Sequence, residues 1–358
     1  MEKISTYTHR VAAHCETGST RNALAHAGLE LSEPLVFGLG SGPAFFYLFF
    51  TKTERRFPFL ALRNTPGKVL ANVVDLLGVD CPQRRLGSAR EAMAEADRLI
   101  AAGTPVVACV DMFYMKYLPA FLHIHAPFHF VVLVGRDGGS YLVSDPYSEE
   151  LGVVSAENLA LAWDTRAPFA RRNFVAHVRA VPGSFDLPRA AKIAIRRTCR
   201  AMVLPPVVRN AFFFVGVQGM RTFARRMREW PRRYRGVALR EGVMFTGVTF
   251  EDQGTGGGAF RLMYGAFLHE LAERLAAPRF GELAARMVEH GQRWRRTSGE
   301  LIALGKRVPQ EEAAFDDFWS SGGAALEEGL AALGARFDEF AAFEAGFFAE
   351  LLDAARQL

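Results

Sequence analysis

The pattern of apolar and polar positions changes along the chain and predicts two regions. Up to about residue 180, segments with helical spacing precede short apolar runs of strand length. The helix-spaced segments are 19–28, 66–78 and 88–102, and the strand-like runs are 105–111, 129–135, 140–145 and 172–181. The residues RDGG (136–139) predict a β-hairpin, because glycine accepts the backbone angles of tight turns. Helices followed by an antiparallel sheet indicate an α+β fold.

The composition changes after Pro182. Residues 182–188 (PGSFDLP) resemble a linker, and the remaining chain is rich in Ala, Arg, Glu, Leu and Phe at helical spacing. Pro205, Pro206, Pro231 and the glycine-rich segment 254–258 interrupt this pattern. We therefore predict a first domain over residues 1–183 and a mainly α-helical domain over residues 184–358.

The chain of 358 residues is half apolar and 23% charged, which is typical of folded domains. We find no apolar stretch of transmembrane length and no signal-peptide core near the N-terminus. The four cysteines form no CxxC pair, so we expect no structural zinc. These features favour a cytoplasmic protein with free thiols.

Charge is distributed unevenly along the second region. Between Arg189 and Arg240 there are 14 basic residues and one acid, whereas Gln310 to Leu358 carries 11 acids and two bases. The basic block indicates either an acidic partner or pairing with the acidic block of the same chain or a second copy.

Cys15 precedes the first predicted helix, and this position suits a nucleophile. A helix N-terminus lowers a thiol pKa through its dipole and presents free N–H groups to a developing oxyanion. His129 begins one strand of the predicted hairpin and Asp145 ends the other, so the two would lie roughly opposite each other. The chain order Cys, His, Asp is that of papain-like enzymes. Alternatively, Cys15 is a small buried hydrophobe, His129 a core histidine and Asp145 a turn residue.

Two other motifs suggest different chemistry. His123 and His125 with His129 (HIHAPFH) invite a metal interpretation, but no acid or cysteine completes a ligand set, and we expect no metal. The segment GLGSG (38–42) lacks the features of a phosphate-binding loop and is interpreted as a loop near the cleft. The run PAFFYLFF (43–50) fits a core better than an acyl tunnel.

Three segments resemble one known family. HCETGSTRNALAHAGLELSEPLVFGLGSG (14–42) resembles the opening signature of the butirosin biosynthesis protein H family, and FHFVVLVGRDGGSYLVSDPY (128–147) resembles its second block. GTGGGAFRLMYGAFLHELAE (254–273) is similar to the helical domain that often accompanies it.

The resemblance implies a papain-like N-terminal fold and an acyltransferase. The founding member moves an acyl chain from an acyl carrier protein thioester to an aminoglycoside amine. Carried onto this chain, Cys15 is the nucleophile, His129 the base and Asp145 the orienting acid. Papain-like enzymes place an oxyanion-binding Gln about six residues before the Cys, where this chain has His9. The oxyanion donors would then come from His9, His14, Gly40 or Ser41, besides the Cys15 N–H.

These expectations extend to substrates and partners. The donor is a phosphopantetheine-linked thioester on a carrier protein or CoA, and the acceptor is a small-molecule or lipid amine or hydroxyl, with no bound cofactor. The helical domain is expected to act as a lid and to dock the carrier. The candidate docking residues are Arg196, Arg197, Arg200, Arg225, Arg226 and Arg228.

Other partners and functions stay open. The apolar run within 211–220 argues against nucleic acid, whereas Arg and Phe within 205–228 leave contact with an anionic membrane surface open. The opposite charges of the two late blocks also leave a homo-oligomer open. A papain-like cysteine peptidase or amidase and a non-catalytic biosynthetic scaffold are the competing functions.

Overall fold

The structure is a computed structural model that describes residues 2–48, 57–203, 213–252 and 255–358. The strands are β1 (Glu2–Lys3), β2 (Pro43–Leu48), β3 (Phe59–Arg63), β4 (Gln83–Arg85), β5 (Val106–Val110), β6 (His129–Asp137), β7 (Ser140–Ser144), β8 (Gly152–Ser155), β9 (Phe174–Ala176) and β10 (Phe213–Val215). The longer helices are α1 (Cys15–His26), α2 (Glu33–Leu39), α3 (Lys68–Leu77), α4 (Ala89–Ala101), α5 (Ala156–Asp164), α6 (Leu187–Val203), α7 (Gly216–Met227), α8 (Trp230–Arg233), α9 (Gly236–Glu251), α10 (Arg261–Arg274), α11 (Pro278–Arg307) and α12 (Phe315–Arg356). The predicted break at Pro205 and Pro206 lies outside the described residues.

The chain forms two compact units. The first comprises Met1–Gly40 and Thr65–Ala190, and the second comprises Ser41–Asn64 and Ala191–Leu358. The second unit thus includes the β2–β3 hairpin, which the apolar pattern did not indicate because PAFFYLFF does not alternate. The domain boundary expected between residues 183 and 184 stays a prediction.

An antiparallel sheet of seven described strands forms the centre of the first unit. Its order is β4-β9-β5-β6-β7-β8, with β1 paired to β6. The predicted strands at 105–111, 129–135 and 140–145 correspond to β5, β6 and β7, and the RDGG hairpin is confirmed by the pairing of Asp137 with Ser140. The strand expected over 172–181 is limited to β9.

Helices cover this sheet because its central strands are apolar on both sides. Val131 and Leu133 of β6 belong to a buried cluster that includes Ala96 of α4 and Trp163 of α5. Helix α1 lies against β6, and the hydroxyl of Ser19 donates a hydrogen bond to the carbonyl of Phe130 in β6 at 3.0 Å. This packing brings the N-terminus of α1 to the strand that begins with the predicted base.

The second unit is mainly helical, as predicted. Its described strands form a three-stranded sheet in the order β10-β2-β3. Its core is aromatic: the ring of Phe45 lies 5.9 Å from Phe223 and 6.3 Å from Trp294, measured between centroids. For residues 43–48, the core interpretation of the phenylalanine-rich run is confirmed, whereas residues 49 and 50 lie outside the described part.

An ionised cluster is buried within this aromatic core. The guanidinium of Arg261 donates two hydrogen bonds to Glu344, from Nε at 2.9 Å and from Nη2 at 2.8 Å. His290 Nε2 lies 3.0 Å from Glu344 Oε1 and 2.9 Å from the indole nitrogen of Trp294. The bidentate pair neutralises a carboxylate that is fully removed from solvent.

Candidate active site

Cys15 is the first residue of α1. His14 is the N-cap, with extended backbone, and its side chain accepts a hydrogen bond from the N–H of Thr17. The sequence predicts a helix beginning at Ser19, but the observed helix already begins at Cys15. The thiol therefore lies where the helix dipole and the unpaired N–H groups of the first turn act most strongly.

The hairpin brings His129 and Asp145 into contact. His129 Nε2 lies 2.8 Å from Asp145 Oδ2, and the two side chains are 6% and 0% exposed. The two residues, which were predicted to lie roughly opposite each other, are offset along the hairpin, because the last paired residues are Val132 and Ser144. Asp145 instead reaches His129 diagonally from just beyond the end of β7.

Close packing holds the start of α1 beside this hairpin. The N–H of Ala12 donates to the carbonyl of Pro146 over 2.9 Å. A Cβ at Gly18 would lie 2.4 Å from the Cβ of Ala12 and 2.7 Å from that of Pro146. Since real Cβ atoms do not approach so closely, a glycine at position 18 lets the helix come this near to the chain that follows Asp145.

Asp145 is buried but well supplied with hydrogen-bond donors. Its Oδ2 accepts from the Tyr117 hydroxyl at 2.8 Å as well as from His129, and its Oδ1 accepts from the N–H of Tyr147 at 3.0 Å. Burial alone would raise the pKa of this carboxyl, but the charge of His129 and these hydrogen bonds lower it. Asp145 is therefore ionised at neutral pH.

The thiol and the imidazole shift each other's pKa. Burial alone would raise the pKa of Cys15, but the charge of His14 and hydrogen bonds with His129 and His14 hold it well below its ordinary value. Burial also opposes protonation of His129, yet the charge of Asp145 and the hydrogen bonds with Asp145 and Cys15 raise its pKa to about 10. Both shifts favour a thiolate–imidazolium pair at neutral pH. Since Nε2 contacts Asp145, Nδ1 is the ring nitrogen left for the thiol.

Two parts of the chain match known families. Residues 14–146, which contain all three of these side chains, match the family described as butirosin biosynthesis protein H, N-terminal. Residues 157–317 match a domain of unknown function (DUF4872). Residues 14–146 belong to the butirosin biosynthesis protein H family. A cysteine at the start of a helix that packs on an antiparallel sheet, with the histidine and acid on that sheet, is the papain-like arrangement expected of this family.

Similarity to other known proteins is limited. A solved structure described as a C39-like peptidase from Bacillus anthracis matches with a TM-score of 0.35 and 15% identity, over 51% of this chain and all of that chain. No curated protein matches this chain.

His9 is not available where the family resemblance suggests an oxyanion donor. Its Nδ1 lies 2.7 Å from Ser144 Oγ and its Nε2 lies 2.8 Å from the carbonyl of Ser148. A carbonyl only accepts, so Nε2 carries the proton and Nδ1 accepts from Ser144, which in turn accepts from Tyr7 at 2.9 Å. The expectation that His9 binds the oxyanion is therefore not supported, since both ring nitrogens are engaged beside β7.

Gly40 and Ser41 also have structural roles. Within the expected glycine loop (38–42), the first two residues end α2 and Gly40 is its C-cap, and the Gly40 carbonyl accepts from Asn72 Nδ2 at 2.8 Å. A Cβ at Gly40 would lie 2.5 Å from Val69 Cγ1. Ser41 is buried, and its hydroxyl donates to the carbonyl of Ala194 at 3.3 Å. Packing and backbone hydrogen bonds therefore account for both residues without an oxyanion.

Of the four residues proposed to bind the oxyanion, His14 is still a candidate, and Glu33 fixes its backbone. His14 is 2% exposed, its Nδ1 lies 3.2 Å from Thr17 Oγ1, and its charge lowers the pKa of the Cys15 thiol. Glu33 Oε1 accepts from the N–H of His14 at 2.9 Å and from Thr17 Oγ1 at 2.7 Å, while Oε2 accepts from the N–H of Ala13 at 3.0 Å. No sequence motif marks Glu33, because its partners lie one helix away.

Glu16, directly after the nucleophile, has a structural use. It is fully buried, and its Oε1 accepts from the N–H groups of Val69 at 2.9 Å and Leu70 at 3.2 Å, in the first turn of α3. Gly67, the N-cap of α3, has no side chain to do this. Glu16 therefore caps α3 and ties it to α1.

The three histidines of the HIHAPFH motif do not converge. His123 Nε2 lies 3.0 Å from the carbonyl of Leu118, His125 Nδ1 lies 2.8 Å from Asp111 Oδ2, and His129 contacts Asp145. Within the described ranges, no group of three histidine, cysteine or acidic side chains is arranged to hold a metal ion.

Part of the basic block pairs with acidic residues of the same chain. Arg228 bonds to Asp338 of α12 at 2.6 Å, Arg232 lies 4.0 Å from Glu327, and Arg235 pairs with Asp316. Pairing with the acidic helix of the same chain thus accounts for part of the block.

The other candidate docking residues lie on α6 and α7. Those that are solvent-exposed are Arg196, Arg197, Arg200 and Arg225, whereas Arg226 is half-buried. In the part of the chain that the structure describes, no helix is long and apolar enough to cross a membrane. Of the segment considered for membrane contact, residues 205–212 lie outside the described residues.

Proposed function

We propose that this protein is an acyltransferase that moves an acyl group from a phosphopantetheine-linked thioester through Cys15 to an amine or hydroxyl acceptor. The observation that carries the proposal is the Cys15 thiol at a helix N-terminus, with its pKa lowered in part by His129, whose Nε2 lies 2.8 Å from Asp145. The match of residues 14–146 to the butirosin biosynthesis protein H family supports transfer over hydrolysis.

In the first step, the Cys15 thiolate attacks the carbonyl carbon of the donor thioester. Collapse of the tetrahedral adduct breaks the bond to the pantetheine sulfur, which leaves with the proton of His129. The product is an acyl group held as a thioester on Cys15. Because one thioester replaces another, this step is close to level in free energy.

In the second step, neutral His129 takes a proton from the acceptor amine or hydroxyl as that group attacks the acyl carbon. The Cys15 sulfur leaves as a thiolate, and its depressed pKa makes it a good leaving group. The thiolate–imidazolium pair is then restored. Asp145 holds the Nε2–H of His129 in both steps, so that Nδ1 exchanges the protons.

The oxyanion of each adduct needs donors that are already in place. We assign this role to the N–H of Cys15 and the imidazole of His14. The first lies in the first turn of α1, where N–H groups lack helical partners, and Glu33 accepts from the backbone N–H of His14, which fixes that residue next to Cys15. His14→Phe is expected to slow acylation of Cys15 about 100-fold, because it removes both the oxyanion donor and the charge that lowers the thiol pKa.

Intact-mass spectrometry after incubation with an acyl carrier protein thioester tests the central step. We expect the mass of one acyl group on Cys15 in the wild type and no adduct on Cys15→Ala. Added amine or hydroxyl acceptor should then discharge the wild-type adduct. Release of free acid from peptides without a carrier would identify a peptidase instead. Absence of any adduct and of any hydrolysis would favour a scaffold and contradict the proposal.

The exposed arginines of α6 and α7 supply a surface for an acidic carrier protein. Replacing Arg196, Arg200 and Arg225 with Glu should weaken carrier binding about tenfold at low salt and less at high salt, because exposed charges are screened. Arg228→Glu is the comparison, since its side chain already pairs with Asp338. Equal effects of the two changes would contradict this docking surface.

A further inference from the structure

We propose that Tyr117 is a positioning residue of this site, which fixes the Asp145 carboxylate so that it presents one oxygen to His129. The inference deepens the proposed function and rests on it for the role of Asp145. Tyr117 belongs to neither of the sequence blocks that define the Cys15 site, and it lies between β5 and β6.

The hydroxyl of Tyr117 shares an oxygen of Asp145 with the imidazole. Asp145 Oδ2 accepts from the Tyr117 hydroxyl at 2.8 Å and from His129 Nε2 at 2.8 Å, so two donors share one oxygen. The N–H of Tyr147 holds the other oxygen at 3.0 Å. Three donors around a fully buried carboxylate prevent its rotation and keep the His129 ring in one orientation.

The ring of Tyr117 lies directly over Gly152. A Cβ built on Gly152, the first residue of β8, would lie 2.5 to 2.7 Å from three carbons of the Tyr117 ring. Gly152 pairs with Val143 of β7, close to Asp145 in the sheet. The absence of a side chain at position 152 therefore makes room for the tyrosine whose hydroxyl reaches the acid.

The phenol acts as a donor throughout the working pH range. Burial, followed by the negative charge of Asp145, raises the pKa of Tyr117 well above its ordinary value. Its proton therefore stays available to the carboxylate. Without that hydrogen bond, Asp145 would bind a proton at higher pH, and His129 would lose the charge that supports the thiolate.

The experiment measures the rate of Cys15 alkylation by iodoacetamide as a function of pH, which requires no acyl donor. In Tyr117→Phe, we expect the acid limb of this profile to move to higher pH by roughly one unit, the effect of losing a hydrogen bond to a charged group. Gly152→Ala, which displaces the ring, should move the limb in the same direction. For acyl transfer, kcat should fall about tenfold while KM changes little.

Tyr141→Phe is the matched control. Tyr141 is a buried tyrosine of the same unit whose hydroxyl donates to another carboxylate, Asp97 Oδ1, at 2.7 Å. This variant should keep the wild-type alkylation profile. Circular dichroism establishes the folded fraction of each variant, and reactivity is compared per folded molecule.

The outcomes separate this inference from the proposed function. An unshifted profile for Tyr117→Phe, beside a shifted one for Asp145→Asn, would overturn the role of Tyr117 alone. A loss of reactivity that only follows the loss of folded protein would also overturn it, since it would mean a structural role. An unshifted profile for Asp145→Asn would overturn the proposed triad and the role of Tyr117 together.

Discussion

The two units each bury a carboxylate beside a histidine, but the two pairs differ in charge. In the first unit, Asp145 contacts His129 and otherwise accepts from neutral donors. In the second, Arg261 already neutralises Glu344, and His290 adds one further contact. The pKa of His129 accordingly rises to about 10, whereas burial lowers the pKa of His290.

The surroundings of the two histidines differ in the same way. His129 lies against a thiol at a helix N-terminus, whereas the His290 ring lies 4.3 Å from Phe343 and 4.9 Å from Phe340, measured between centroids. His290 Nε2 lies within hydrogen-bonding distance of both Glu344 and Trp294. A nitrogen of a neutral imidazole either donates or accepts a hydrogen bond, so it does not bond to both groups at once. Where no cation neutralises the carboxylate, the neighbouring histidine is protonated. Where an arginine neutralises it, the histidine stays neutral and has a structural role.

The largest expected effect separates the pairs by activity. Asp145→Asn should slow acyl transfer about 10³- to 10⁴-fold, because an amide neither fixes the His129 tautomer nor stabilises the imidazolium. Steady-state kinetics with the carrier-bound donor measure this loss. Asp97→Asn, which removes another acid of the first unit, should retain activity. A rate for Asp145→Asn within threefold of the wild type would show that the first pair is not catalytic.

The next effect concerns stability in the second unit. Glu344→Gln leaves the Arg261 guanidinium buried at 2% exposure without a counter-charge and should lower the free energy of unfolding by about 3–5 kcal/mol. Urea denaturation measures this change. Glu350→Gln is the control: its partner Arg286 is 40% exposed, so we expect a loss of at most about 1 kcal/mol. Similar losses for both variants would contradict the structural role of the buried pair.

The catalytic candidates could be predicted from sequence because their chemistry restricts their position. A nucleophilic cysteine needs a helix start, and the RDGG turn brings the strand ends with His129 and Asp145 together. The surroundings of His9 could not be predicted in the same way, because a position in a motif does not specify hydrogen-bond partners, and Ser144 and Ser148 engage both of its ring nitrogens.

Other parts depend on contacts that no local pattern encodes. Tyr117 lies in a connection without helical or strand periodicity, yet its hydroxyl reaches Asp145. Arg261 and Glu344 are 83 residues apart in sequence and meet only when α10 and α12 pack together. Sequence periodicity predicts the elements, whereas tertiary packing decides which of their polar groups meet.

The pairs should also lose stability at opposite ends of the pH scale. Glu344 has a folded pKa of about 2 against an ordinary 4.5, so its contribution is fully present above pH 4.5 and is lost as pH falls toward 2. The contribution amounts to about 3 kcal/mol. His129 has a folded pKa of about 10 against an ordinary 6.5, so its contribution is fully present below pH 6.5 and is lost as pH rises through 10.

Urea unfolding across the pH range measures both contributions. The His129 limb is measured in Cys15→Ser, because the depressed thiol pKa acts in the opposite direction and masks it. In that variant Asp145 still raises the His129 pKa, so stability should fall as pH increases above 6.5. Glu344→Gln should flatten the acid limb alone. Loss of the alkaline limb in Glu344→Gln would contradict the separate assignment.

The smallest expected effect comes from the second histidine. His290→Leu removes the contacts with Glu344 and Trp294 but leaves the Arg261 pair intact, so we expect a loss of about 1–2 kcal/mol in unfolding free energy. Urea denaturation measures that loss, and Cys15 alkylation should be unchanged per folded molecule. His129→Leu provides the contrast, since it should abolish the pH-shifted reactivity of the thiol. If His290→Leu slowed acyl transfer in fully folded protein, a neutral histidine beside a neutralised carboxylate would have a catalytic role, and the distinction by charge would be wrong.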